Sequence, residues 1–145
     1  MHCLVGSWVS KTAQVTLDGK KRKGEFAITC TAASGGFAIS CNTKLTIEGL
    51  GVSEETDLFG YDPQMKLYHW YAVNSLGNTH DHVAMPPTGP DQPIVFAHSG
   101  FEGGKPMQEV LRMAFNADAT KIDFKNDIVV GGQSAGSIVA TLVKK

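Results

Sequence analysis

The chain has 145 residues, 42% of them hydrophobic and 19% charged, with a formal net charge of -1. That is enough chain to bury a core without disulfide support, and the charge balance excludes a polyelectrolyte drawn to nucleic acid or to an anionic membrane. With 3 cysteines and no C-x-x-C spacing, a secreted disulfide framework and a zinc knuckle are both excluded, and no apolar run reaches the roughly 18–20 residues of a membrane helix.

The start, MHCLVGSWVSK, lacks a charged stretch followed by a long apolar one, so no signal peptide is expected and the cytoplasm is the simplest location. The basic run Lys20-Lys21-Arg22-Lys23 lies between Gly19 and Gly24 and reads as a solvated turn rather than a phosphate-binding patch. Phe26, Ile28, Cys30 and Ala32 then alternate with Glu25, Ala27, Thr29 and Thr31. Beyond Ser34-Gly35-Gly36 the alternation resumes with Phe37, Ile39, Cys41, Thr43, Leu45 and Ile47. A turn there sets Cys30 and Cys41 nearly opposite on one face; in a cytoplasmic protein both are expected as buried thiols. The stretch MPPTGPDQP, from Met85, is a loop between strands rather than a domain boundary. Ile94, Phe96 and His98 alternate next, followed by Ile122, Phe124, Asn126 and Ile128. Period two with turns at short intervals predicts about nine or ten antiparallel strands in a sandwich or barrel. Residues 1–145 are expected to form one domain.

Near the end, Gly132-Gln133-Ser134-Ala135-Gly136 matches the G-x-S-x-G elbow of α/β-hydrolases. That motif needs a helix after the serine and later acid and histidine partners. SIVATLVKK alternates like a strand and contains no Asp, Glu or His, so the glycines are read as the turn of the last hairpin.

Leu4-Val5-Gly6-Ser7-Trp8 carries the G-x-W pattern that opens calycin barrels, and Lys144-Lys145 stand where that superfamily places a basic residue against the tryptophan. With FGYDPQMKLYHWYAVNSLGN, Gly103–Pro106 and the hairpin from Gly131 to Lys145, the chain resembles a bacterial family of lipocalin-like proteins. The resemblance implies an all-β, antiparallel up-and-down barrel of about 8–10 strands with an internal cavity, and no assured chemistry.

Hairpin geometry gives an independent view of the interior. In Glu102-Gly103-Gly104-Lys105 a two-residue turn pairs Glu102 with Lys105, so His98 faces Glu109, Phe96 faces Leu111 and Ile94 faces Met113. That face is mostly apolar and should point inward. A two-residue turn within Asn74-Ser75-Leu76-Gly77-Asn78-Thr79 puts His69 and Tyr71 on one face with His80 and His82, and leaves Tyr68 and Trp70 opposite. There they would cover the exterior and support a homodimer contact, or line the cavity if the register is one residue off. The long loop from Met85 to Pro93 leaves the register to His98 open; if His80 lies near His98, the interior group is His69, Tyr71, His80, His82, Phe96, His98 and Glu109.

Four readings of this group stand side by side: satisfied core or surface histidines, a polar anchor for a small ligand, a His-ligated metal or haem, and acid–base catalysis by His98 with Glu109. The function expected is binding of a small, largely apolar molecule in the cavity, with neither cofactor nor catalytic residue implied. The alternatives are a barrel enzyme (isomerase, cyclase or hydrolase), a metal or haem binder, and a structural module with a filled interior.

Overall fold

The computed structural model describes residues 2–89 and 92–145. Ten strands follow in chain order: β1 (Gly6–Leu17), β2 (Lys20–Ala33), β3 (Ala38–Ile47), β4 (Gly51–Asp62), β5 (Leu67–Asn74), β6 (Thr79–Ala84), β7 (Ile94–Glu102), β8 (Lys105–Phe115), β9 (Lys121–Val130) and β10 (Gln133–Lys144). Single turns of 3₁₀ helix, at His2–Leu4 and Ser34–Gly36, precede β1 and join β2 to β3. Every strand pairs antiparallel with its neighbour in the chain, and β1 pairs with β10, so the sheet closes into an up-and-down barrel. That is the expected architecture, and it is compatible with a lipocalin-like fold. Among the described residues no helix is long and apolar enough to cross a membrane.

The alternation read from the sequence is the burial pattern of the wall. Phe26, Ile28 and Cys30 of β2 point inward between exposed Glu25, Thr29 and Thr31, and Ile122, Phe124 and Asn126 of β9 do the same between Lys121, Asp123 and Lys125. Closure is what makes this pattern stable. Each strand pairs with both neighbours, most sparsely between β6 and β7, where Val83 opposes Ala97, and one face of each strand loses its apolar surface to a common core.

The interior is layered along the barrel axis. At one end Leu4, Trp8, Ile122 and Leu142 are almost wholly buried. Trp8 sits opposite Lys144 in the β1–β10 register, donates its indole N–H to the Leu4 carbonyl at 2.7 Å, and meets the Phe115 ring edge-on at 6.2 Å. An aromatic layer follows: Phe59 lies 4.6 Å from Trp70, Trp70 5.5 Å from Phe96, and Phe26 5.1 Å from Phe124, centroid to centroid. Polar side chains gather above it, toward the end carrying the β5–β6, β7–β8 and β9–β10 turns.

Two expectations are corrected here. The β5–β6 connection is not a two-residue turn. Asn74 N–H bonds to the Asn78 carbonyl at 3.1 Å, leaving Ser75, Leu76 and Gly77 as a three-residue loop with Gly77 at φ 84. The extra residue shifts the register by one, pairing Trp70 with His82 and Ala72 with His80. His69 and Tyr71 therefore lie on the outer face, whereas Trp70 is inside and only 4% exposed. The outer Trp70 that was to support a homodimer contact is thus absent from the surface. Second, Cys30 and Cys41 face each other directly across β2 and β3, with Cα atoms 4.1 Å apart, and form a disulfide rather than two thiols. Cys3 is a free cysteine.

Candidate functional site

The β7–β8 turn is the two-residue Gly103-Gly104 connection, and its strands pair Glu102 with Lys105, His98 with Glu109, Phe96 with Leu111 and Ile94 with Met113, as the sequence predicts. Both glycines have positive φ (55 and 77), the conformation that such a turn demands. This register brings Glu109 into the barrel at the level where the β5–β6 register delivers His80 and His82.

Glu109 is the centre of the group. Its Oε2 lies 2.9 Å from His80 Nδ1 and 2.9 Å from His82 Nε2, and its Oε1 accepts from Asn126 Nδ2 at 2.6 Å. His82 is 3% exposed, and its Nδ1 reaches the Trp70 carbonyl at 3.3 Å. Burial pushes the Glu109 carboxyl up, but the hydrogen bonds and charge of His82, with Asn126 and His80, outweigh it and hold the group below its ordinary value.

Of the expected residues, then, His80, His82, Phe96, His98 and Glu109 lie on the inner face, and His69 and Tyr71 do not. His69 Nδ1 pairs with the exposed Asp81 carboxylate at 3.2 Å, and Tyr71 is exposed. Phe96 is fully buried one layer below, against Trp70 and Phe59, and serves as floor rather than anchor. His98 stacks on His80 with ring centroids 4.7 Å apart, and its Nδ1 contacts the Asp81 carbonyl at 3.0 Å. It sits opposite Glu109 in register but is not hydrogen-bonded to that carboxylate, which His80 and His82 occupy. The acid–base pair of His98 with Glu109 thus has no direct contact to work through.

A second acidic group was not anticipated. Glu55, Asp57 and Phe59 alternate inward along β4, so the Glu-Glu-Thr-Asp-Leu-Phe run was readable by period two but went unread. Asp57 is 1% exposed; it accepts from the Trp70 indole N–H at 2.7 Å and from the Thr43 hydroxyl at 2.6 Å. Glu55 lies one step nearer the turns. Burial, then the charge of Asp57 and a hydrogen bond with it, then the charge of Glu109, push the Glu55 carboxyl up to about 8. Near neutrality it is largely a neutral acid.

A stability consequence follows. Below the ordinary value of 4.5 the folded and unfolded chains are both protonated at Glu55, and the site adds no pH dependence. Between 4.5 and about 8 the unfolded chain ionises while the folded chain holds its proton, so stability falls across that window and levels off above it. Glu55→Gln keeps the neutral shape at every pH. It should leave stability near pH 4 little changed and raise it above pH 8 by on the order of a few kcal/mol. Denaturant unfolding of both proteins across the window measures the difference, and parallel curves would refute the assignment.

Two spaces meet at the histidine–glutamate group. An inner cavity of about 110 Å³ is bounded by Phe26, Trp70, Leu111 and Phe124 on its apolar side and by Glu55, His82 and Asn126 on its polar side. A recess of about 480 Å³ opens at the turn end, between Asn78, His98, Phe101 and Glu102. His80 and Glu109 line both. Asn126 Oδ1, buried beside the inner cavity, has no hydrogen-bond partner among the described residues.

Ser134 is the second residue of β10, just after the Gly131-Gly132 turn, and is exposed; strand lies on both sides of that turn, so the G-x-S-x-G match is a hairpin and not an elbow. No protein-family model matches this chain, and no curated protein shows significant similarity to it.

Proposed function

We propose that this protein is a lipocalin-like binder of a small molecule, held by an apolar body in the inner cavity and by a polar group at His80, His82 and Glu109. The observation that carries this reading is the convergence of three polar side chains from β6 and β8 on one point above an aromatic floor, where two spaces join. Binding sites take this form: mostly apolar walls with a few placed polar groups that fix orientation.

Size and chemistry narrow the ligand. A cavity of about 110 Å³ is smaller than an engineered apolar cavity of roughly 150 Å³ that accepts benzene, so the buried portion is no larger than a single ring or short chain. A haem is far too large for it. The unpartnered Asn126 Oδ1 favours a ligand that brings a hydrogen-bond donor. The Cys30–Cys41 disulfide supports action in an oxidising compartment rather than in the cytoplasm.

Trp70 forms part of the cavity wall and reports on its occupancy. Native mass spectrometry of the freshly purified protein, followed by titration with phenol and benzylamine while monitoring tryptophan emission, tests the proposal. Saturable binding that Glu109→Leu weakens at least tenfold is the expected result. Absence of any retained molecule, together with no response to either probe, would refute it.

A further inference from the structure

We infer that His80, His82 and Glu109 form a binding site for one divalent first-row transition-metal ion. The inference stands apart from the small-molecule reading and needs no organic ligand.

Hydrogen-bond bookkeeping at His82 is the starting point. Its Nδ1 lies 3.3 Å from the Trp70 carbonyl oxygen, which can only accept, so the ring proton belongs on Nδ1. Its Nε2 lies 2.9 Å from Glu109 Oε2, and a carboxylate oxygen is also only an acceptor. A neutral imidazole has one proton for these two acceptors. Either a second proton or a cation must therefore stand between Nε2 and Oε2. The same oxygen faces His80 Nδ1 at 2.9 Å, so two ring nitrogens and one carboxylate oxygen are directed at a shared point.

The distances suit an ion. The three donor atoms all lie within 4.8 Å of one another. Around a tetrahedral ion with bonds of about 2.1 Å, donors stand about 3.4 Å apart. Side-chain adjustments of under about 1 Å thus convert the hydrogen-bonded arrangement into a coordinated one. His80 and His82 are two apart on β6 and share its inner face, and Glu109 arrives from β8. Two imidazoles and one carboxylate on one side of an ion leave further positions open, the donor set of facial sites for borderline transition metals rather than for the oxygen-loving calcium or magnesium.

The surroundings are those of a built site. Metal-bound histidine typically donates its other ring N–H to a carbonyl or carboxylate, and a bound carboxylate is itself hydrogen-bonded. Here the Trp70 carbonyl holds His82, and Asn126 Nδ2 holds Glu109 Oε1 at 2.6 Å. His80 and Glu109 also line the recess of about 480 Å³, which would give an ion held there access to solvent. His98, stacked on His80, has its Nε2 at that recess beside Gly100, where a Cβ would lie 2.9 Å from the nitrogen.

The test uses the whole chain after chelator treatment, titrated calorimetrically with Zn²⁺ and followed with Co²⁺ by its ligand-field absorption. One equivalent of metal is expected. His80→Ala and Glu109→Gln should each weaken it by more than the roughly 10–100-fold typical of losing an outer partner of a metal ligand. His69→Ala, which removes the outward-facing histidine, and Cys3→Ser, which removes the free thiol, should leave affinity within about twofold. His80 lies at the mouth and is the substitution least disruptive to folding, and far-ultraviolet circular dichroism checks each variant. The inference is overturned if the wild-type protein binds neither metal, if both site variants bind as well as wild type, or if Cys3→Ser abolishes binding. Metal binding with no retained molecule and no response to phenol or benzylamine would sustain this site and remove the small-molecule reading; the reverse result would do the opposite.

Discussion

Trp8→Ala is expected to lower the free energy of unfolding by about 3–5 kcal/mol, the cost of truncating a fully buried large aromatic residue. The ring is 0% exposed and lies where the first and last strands meet, so its removal opens a cavity at the closed end. It also strands the Leu4 carbonyl, which now accepts the indole N–H at 2.7 Å. Lys144, whose Nζ sits 5.1 Å from the ring centroid, contributes far less, because an exposed cation over an aromatic face adds only about 0.5–1 kcal/mol. Lys144→Met should therefore be nearly silent beside Trp8→Ala. Denaturant unfolding with both variants checks this, and equal midpoints for Trp8→Ala and wild type would show that the plug is ornamental.

Glu109→Ala is expected to cost about 3–5 kcal/mol, the range for removing one partner of a buried ion pair. It strands donors on His80, His82 and Asn126 together, in a layer beside the turn-end recess. Coupling should follow the hydrogen bonds rather than the strand register. A cycle of Glu109→Gln with His82→Gln should depart from additivity by about 0.5–3 kcal/mol, whereas Glu109→Gln with His98→Phe, which keeps a ring to stack on His80, should depart less. Equal coupling in the two cycles would mean that His98 shares the carboxylate after all.

The strands were readable because a closed barrel with one wet and one dry face imposes period two on nearly every segment. The β7–β8 register was readable because Gly103-Gly104 leaves a single sensible turn. The β5–β6 register was not, because Ser75-Leu76-Gly77-Asn78 accommodates a two- or a three-residue loop. The deciding signal is Asn74, whose side-chain oxygen accepts from the Leu76 and Asn78 amides at 3.0 and 3.1 Å and so holds the longer loop. That one residue moved His69 and Tyr71 outside and Trp70 inside. The partner choice within the group was hidden for a different reason. Register says which Cα atoms are opposed, but β6 reaches Glu109 across the interior, a contact that no hairpin reports.

The barrel's connectivity also bears on how it forms. Each strand from β2 onward is laid beside its immediate predecessor, so most of the sheet can assemble through short loops whose closure costs little entropy. The β1–β10 pairing is different, since it joins segments from the two ends of the chain and gains nothing until everything between them is in place. Non-local pairings of this kind place a fold among the slow ones, on the millisecond-to-second scale. The expected rate-limiting event is zipping Trp8 against Lys144, and until it happens the ten-strand meander carries two unpaired edges, β1 and β10, on which a second chain could template.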